Sequence, residues 1–249
     1  MNKELERELI EKVKQDPLYL CKIKDQTEAI CLAAVEVDGS ALEFVEHQTE
    51  AICLAAVRGH GLSLGLVERQ TEEMCLEAVK NDGLALEFVN TQTEEICLEA
   101  VKNNWRAFQY VKDQTEAICL ATVKQNGYML MEVNNSNQTE NICLEAIRDE
   151  KRALEFVAVK TDKVYLETFK DDFEAIDLVD INNKHIAMLL LKASMQHKKK
   201  NNNILTEIIN NFKDNKKFID FYTKYKLWKY VDFSKFNLND KLTKYSMTL

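Results

Sequence analysis

Helix breakers are nearly missing from this chain. It holds one proline, Pro17, and six glycines in 249 residues, a scarcity that favours helices over strands and turns. No uninterrupted apolar run approaches the roughly 18–20 residues that a membrane-crossing helix needs. The charged opening Met1-Asn2-Lys3-Glu4-Leu5-Glu6-Arg7 lacks the apolar core of a secretory signal. Cys-x-x-Cys pairs, phosphate-binding glycine loops, zinc-protease helices and EF-hand loops do not occur, and His47, His60, His185 and His197 are scattered. The expectation is a soluble, cytoplasmic protein with no cofactor, no metal and no membrane contact.

Charge is lopsided rather than scarce. Residues 1–195 carry 21 Lys/Arg against 36 Asp/Glu, whereas residues 196–249 carry 12 Lys against 5 Asp/Glu. An acidic body repels phosphate backbones and favours basic partners, so nucleic acid is expected to bind only through the basic segment 198–230. Lys198-Lys199-Lys200 reads first as a solvated linker.

What the chain has in abundance is repetition. Gln26-Thr27-Glu28 returns at Gln48, Gln70, Gln92 and Gln114, each step being 22 residues, and again at Gln138 after a two-residue insertion around Asn134-Asn135-Ser136-Asn137. A period of this size is the signature of a solenoid. Counting Gln as position one, each clear unit reads Gln-Thr-Glu-x-(Ile/Met)-Cys-Leu-x-(Ala/Thr)-(Val/Ile). Thr at position two suits a helix N-cap, and the Glu after it suits the positive end of the helix dipole. Gly39, Gly61, Gly83 and Gly127 stand at position fourteen, where a left-handed residue is expected to end helix A. Positions four, eight and eleven, as in Glu73, Glu77 and Lys80, form one polar stripe. A second helix of about two turns is expected over stretches such as Ala41-Leu42-Glu43-Phe44-Val45.

The same register exposes degenerate ends. A unit starting at Glu4 keeps apolar Leu9, Ile10, Val13, Leu18 and Leu20. Units at Lys160 and Asn182 keep Val164, Leu166, Phe169, Ile176, Val179 and Ile186 to Leu191. The expected fold is all-α: an α-solenoid over residues 4–195 of about eight 22-residue helix-turn-helix repeats, with units starting near 4, 26, 48, 70, 92, 114, 138, 160 and 182. Residues 196–249 form a second segment, with Ile204 to Trp228 read as a helical hairpin that closes the array.

Six cysteines are in phase: Cys31, Cys53, Cys75, Cys97, Cys119 and Cys143. Successive helices some 8–10 Å apart hold their cysteines too far apart for disulfides or for one zinc ion, so the ladder reads as buried apolar filler in a reducing compartment. Gly61-Leu62-Ser63-Leu64-Gly65 matches the nucleophile elbow of hydrolases, but Ser63 falls in register with Ala41 and Ala85 and no strand pattern precedes it. Departures from the repeat point elsewhere: Trp105 replaces the glycine and is followed by Arg106 and Tyr110, and Tyr128, Met129 and Met131 enrich the next unit. Trp, Tyr, Arg and Met are favoured at protein interfaces, which makes Trp105, Arg106, Tyr110, Tyr128 and Met131 candidate interaction residues, with packing between units as the other account.

The phrases Glu77-Ala78-Val79-Lys80-Asn81-Asp82-Gly83-Leu84-Ala85-Leu86-Glu87-Phe88-Val89 and Ala121-Thr122-Val123-Lys124-Gln125-Asn126-Gly127-Tyr128 resemble the DUF4116 family. The likeness covers about Gln26 to Val157. It implies a helical repeat protein of giant amoebal viruses or amoeba-associated bacteria, acting in a host cytoplasm, and implies no reaction. The leading functional expectation is a non-enzymatic scaffold that binds host or viral proteins with basic surfaces. The second is nucleic-acid association through residues 198–230, and the third is a hydrolase using Ser63. Oligomeric state is open.

Overall fold

The computed structural model describes residues 2–170, 175–180 and 183–196. The expected hairpin at 204–228 and the basic segment 198–230 lie outside the described residues. The chain divides into two compact units, residues 1–125 and 126–249.

The first unit contains α1 (Lys3–Gln15), α2 (Glu28–Val37), α3 (Glu50–Gly59), α4 (Glu72–Asn81), α5 (Glu94–Asn103) and α6 (Glu116–Val123). Between them run five 3₁₀ helices of six residues each: Pro17–Lys22, Gly39–Phe44, Gly61–Leu66, Gly83–Phe88 and Trp105–Tyr110. Each α-helix packs on the next α-helix and each 3₁₀ helix on the next 3₁₀ helix, which is an all-α solenoid built in two rows. The second unit repeats the scheme with α7 (Glu140–Asp149), α8 (Asp162–Thr168) and α9 (Lys184–Gln196), and with 3₁₀ helices Gly127–Glu132, Lys151–Phe156 and Ile176–Leu178. The two-residue insertion forms a short 3₁₀ turn, Asn135–Asn137. Among the described residues there is no strand.

Helix A is thus ten residues long in most units, and the second helix is 3₁₀ rather than α, starting at position fourteen. The core follows the repeat: Ile30, Ala34, Val35, Ala41 and Leu42 are fully buried, as are their counterparts Ala78, Val79, Ala85 and Leu86. In the first unit Val13 and Leu20 join this core, but Leu18 is 49% exposed and does not.

Position fourteen has a different role from the one its glycines suggest. None of them is left-handed, and helix A ends one residue earlier on an extended residue such as Asp38, His60 or Asp82. The glycines are there because the next repeat comes too close for a side chain. A Cβ on Gly61 would stand 2.4 Å from the Ala78 carbonyl oxygen, and one on Gly83 2.4 Å from that of Ala100.

The approach is drawn tight by a side chain of the following repeat. Gly61 N–H donates to Asn81 Oδ1 at 2.7 Å, Gly83 N–H to Asn103 Oδ1 at 2.8 Å, and Gly127 N–H to Asp149 Oδ2 at 2.7 Å. The asparagine amides donate back, Asn81 to the Arg58 carbonyl and Asn103 to the Lys80 carbonyl. Opposite Gly39 the residue at position twelve is Gly59, and His60 Nδ1 accepts the bond instead at 3.0 Å. Pro17 has no N–H to offer, and position twelve of the following unit is Val37, whose side chain has no acceptor.

Where position fourteen is Trp105 or Lys151, the next helix is only eight or seven residues long. Those two helices carry Thr122 and Thr168 in place of the buried alanine, each hydroxyl donating to the carbonyl four residues back, at 2.9 and 2.8 Å. Such back-bonding bends helices and helps to end these two early.

Candidate functional site

The residues that recur through the clear units are spent on closing each unit and on fastening it to its neighbour. Gln48 shows the scheme. Its amide donates to the Leu66 carbonyl at 2.8 Å, its carbonyl oxygen accepts the Glu68 N–H at 2.9 Å, and the Cys53 thiol donates to the same oxygen at 3.6 Å. Gln26, Gln70, Gln92 and Gln138 make the same three bonds. Each glutamine therefore fastens the loop that leaves the following 3₁₀ helix, satisfying backbone groups that a loop would otherwise leave bare.

Thr49 caps α3 through its hydroxyl, which accepts the Ile52 N–H at 3.4 Å and donates to Glu28 Oε1 of the preceding repeat at 2.7 Å. Thr27 with Glu6, Thr115 with Glu94 and Thr161 with Glu140 do likewise. In the Gln-Thr-Glu phrase the glutamine closes its own unit, with the cysteine as a weak donor to it, and the threonine–glutamate bond fastens one repeat to the next. The six in-phase cysteines are buried and free, and burial pushes their thiols up, to about 11 for Cys97 and Cys119. Cys21 is exposed. Among the described residues no three His, Cys, Asp or Glu side chains converge as a metal site requires.

Ser63 is buried within the 3₁₀ helix Gly61–Leu66, with no strand before it, and the neighbouring His60 has its Nδ1 engaged by Gly39 N–H. The strand–turn–helix of a nucleophile elbow does not surround it.

The variable residues lie on the outer edge of the 3₁₀ row. Position fifteen is exposed or half-buried wherever its side chain is described, and its occupants differ widely: Leu18, Ser40, Leu62, Leu84 and Arg106 in the first unit, Tyr128 and Arg152 in the second. In the first unit Trp105 is half-buried beneath Arg106, whose guanidinium stacks 4.3 Å from the indole centroid. Tyr110 is half-buried, and its hydroxyl donates to Glu87 of the preceding repeat, which raises the phenol pKa. In the second unit Tyr128 and Met131 are 41% and 57% exposed, and residues i and i+3 of a 3₁₀ helix eclipse, so they share a face. Tyr128 also packs edge-on against Phe156, centroids 6.5 Å apart. Arg152 is engaged in a bidentate pair with Asp177 at 3.0 and 3.1 Å.

One part of this edge went unmarked in the sequence. Leu62, Leu66 and Phe88 are 50%, 36% and 37% exposed on adjoining 3₁₀ helices. Position eighteen holds Glu43 and Glu87 in the flanking units but Gly65 here, and a Cβ on Gly65 would stand 2.9 Å from the Phe88 ring. Beside Leu62 and Leu66 opens a cleft of about 400 Å³ that also takes in Asp38, His60 and Asp82. The signal was the break at Gly65, the same kind of departure that drew attention to Trp105 and Tyr128.

Residues 71–115 match the family model described as Domain of unknown function (DUF4116). The matched stretch runs from Thr71, the N-cap of α4, to Thr115, the N-cap of α6, and so spans two 22-residue units inside the region whose phrases resemble that family. No curated protein and no solved structure matches the chain.

Proposed function

We propose that this helical repeat protein is a non-enzymatic scaffold that binds other proteins along the outer edge of its 3₁₀ helices. The observation that carries the reading is a division of labour within one sequence. Gln and Cys recur because they close each unit, and Thr, Glu and Gly because their side chains or small size join successive repeats. Position fifteen is exposed or half-buried in each of the seven units from Leu18 to Arg152 and changes from Leu to Ser, Arg and Tyr. A constant frame carrying varied surface side chains is the arrangement by which repeat arrays recognise partners.

Charge favours basic partners. Residues 25–57 contain seven Asp/Glu and no Lys or Arg, and none of those carboxylates joins an ion pair among the described residues. The free buried thiols suit a reducing compartment such as the cytoplasm, where we place the protein. Among the described residues no helix is long and apolar enough to cross a membrane.

The test is zero-length carbodiimide cross-linking in the producing cell, followed by affinity purification and mass spectrometry. The expected result is a carboxylate-to-lysine link between residues 25–57 and a partner of defined stoichiometry that survives moderate salt. Links confined to copies of this chain, or partners lost entirely at about 0.3 M salt, where the Debye length falls below ~8 Å, would overturn it.

A further inference from the structure

We propose that the cleft formed by residues 38–82 docks a short extended peptide presenting a leucine-sized apolar side chain flanked by lysine or arginine. Four observations on the first unit converge on that chemistry.

The apolar surface comes first. Leu62 and Leu66 stand half in solvent on one 3₁₀ helix, and Phe88 of the next lies against Gly65. In the units before and after, position eighteen carries a glutamate, whereas Gly65 sets no charged side chain beside Leu62, Leu66 and Phe88.

The second observation is room. The cleft beside Leu62 encloses about 400 Å³, enough for one or two side chains and too little for a helix about 10 Å across.

The third is charge. Asp38 and Asp82 stand on the two flanking repeats of the cleft, and each spends one oxygen on a backbone N–H, of Ser40 and of Leu84, at 2.9 Å. Neither joins an ion pair among the described residues, and the repeat on the Asp38 side holds no Lys or Arg at all. A ligand must therefore bring its own cations, and their attraction is strongest where apolar contact excludes water.

The fourth is His60, an exposed ring that lines the cleft. Its Nδ1 accepts from Gly39 N–H, which fixes the neutral ring as the Nε2–H tautomer, a donor for a peptide carbonyl.

The other clefts carry less. The furrow of about 410 Å³ over Cys53 is lined by Gln48 and Thr49, whose polar groups already bind Leu66, Glu68 and Glu28.

The proposal rests on the protein-binding reading, and its test separates the two. A random dodecapeptide display library is selected against the immobilised full chain, and the most enriched peptide is titrated by fluorescence anisotropy. Expected enrichment is Lys or Arg within about three positions of Leu, Ile, Met or Phe. Leu62→Ser, at an exposed position, should weaken binding about tenfold, as loss of a small-interface anchor does. The pair Asp38→Asn with Asp82→Asn keeps both oxygen acceptors and should weaken binding about three- to tenfold while flattening its salt dependence. Leu18→Ser, at the same repeat position two units earlier, should change affinity less than about twofold. Enrichment of other sequences, equal loss with Leu18→Ser, or unchanged affinity in both cleft variants would overturn the docking site. If cross-linking still finds a stoichiometric partner elsewhere on the chain, the scaffold reading stands without it.

Discussion

Two glycines in the first unit should respond to the same substitution with opposite signs. A Cβ on Gly83 would lie 2.4 Å from the Ala100 carbonyl oxygen, whereas ordinary contact begins near 3.4 Å, so Gly83→Ala must push two repeats apart by about 1 Å. The displaced atom is backbone, so no rotamer change relieves it. The same gap is spanned by Gly83 N–H to Asn103 Oδ1 and by the Asn103 amide to the Lys80 carbonyl, both at 2.8 Å. The part-buried Gly83 N–H left unpaired costs ~1–2 kcal/mol, the exposed Asn103 amide adds little, and the overpacked contact costs ~1–2 kcal/mol, so the substitution should destabilise by about 2–4 kcal/mol.

Gly59, the last residue of α3, has no atom within 4 Å of its would-be Cβ. Alanine there removes unfolded-state freedom and favours helix, stabilising by about 0.5–1 kcal/mol. Urea unfolding of the full chain followed by far-UV circular dichroism reads both. With m of ~2 kcal/mol/M, Gly83→Ala should lower the midpoint of its unit by about 1–2 M and Gly59→Ala should raise it slightly. If Gly83→Ala shifts the midpoint no more than Gly59→Ala does, close approach is not why position fourteen is glycine.

Other expectations follow from the fasteners. Gln92→Ala frees the Tyr110 carbonyl, the Lys112 N–H and the Cys97 thiol, and should destabilise by about 2–3 kcal/mol, against about 1 kcal/mol for the cap variant Thr93→Ala, in the same urea assay. Alkylation by iodoacetamide, which attacks thiolates, should label Cys21 rapidly at about pH 8. Cys97 and Cys119, held neutral to about 11, should stay unlabelled up to about pH 9.5, as peptide mass spectrometry would detect. Bonds from Arg58 and then Lys80 lower the Glu77 pKa, so their contribution is present above the ordinary carboxylate range and lost as pH falls through the lowered value. Arg58→Ala should therefore destabilise by under about 1 kcal/mol at neutral pH and by nothing in strong acid, with unfolding midpoints measured across that range.

The period of 22 carried most of the fold, because a repeat must bury the same face in each copy and so writes it in the same letters. Thr as N-cap and Ile, Ala, Val and Leu as core were legible from local rules. What local rules miss is any bond whose partner lies nearly a whole repeat away in sequence. Gln70 has no helical reason to exist. Its reason is Phe88 and Asn90, 18 and 20 residues on. The glycines misled in the same manner: position fourteen after a helix has a ready local explanation in a left-handed turn, and the real cause is an oxygen 17 residues downstream. Helix type was also hidden, since Ala-Leu-Glu-Phe-Val fits an α-turn or a 3₁₀ turn equally until the glutamine fastens its exit.

The same distinction separates surface from frame. Because each fastener joins the same two positions in every copy, it forces the same residues there, and any position outside them is free to differ. Trp105, Leu62, Gly65 and Tyr128 stand out against the repeat for that reason, yet the contrast alone does not sort packing from recognition. Trp105 is half-buried under Arg106, Tyr110 is tied to Glu87, and Tyr128 leans on Phe156. Leu62 and Leu66 open onto a cleft whose flanking carboxylates, Asp38 and Asp82, have no ion-pair partner among the described residues. A side chain whose contacts are already filled adds little on binding, whereas apolar area still in water beside unpaired charge has its stabilisation yet to gain. On that criterion the Leu62 edge, rather than Trp105, is the docking surface we propose.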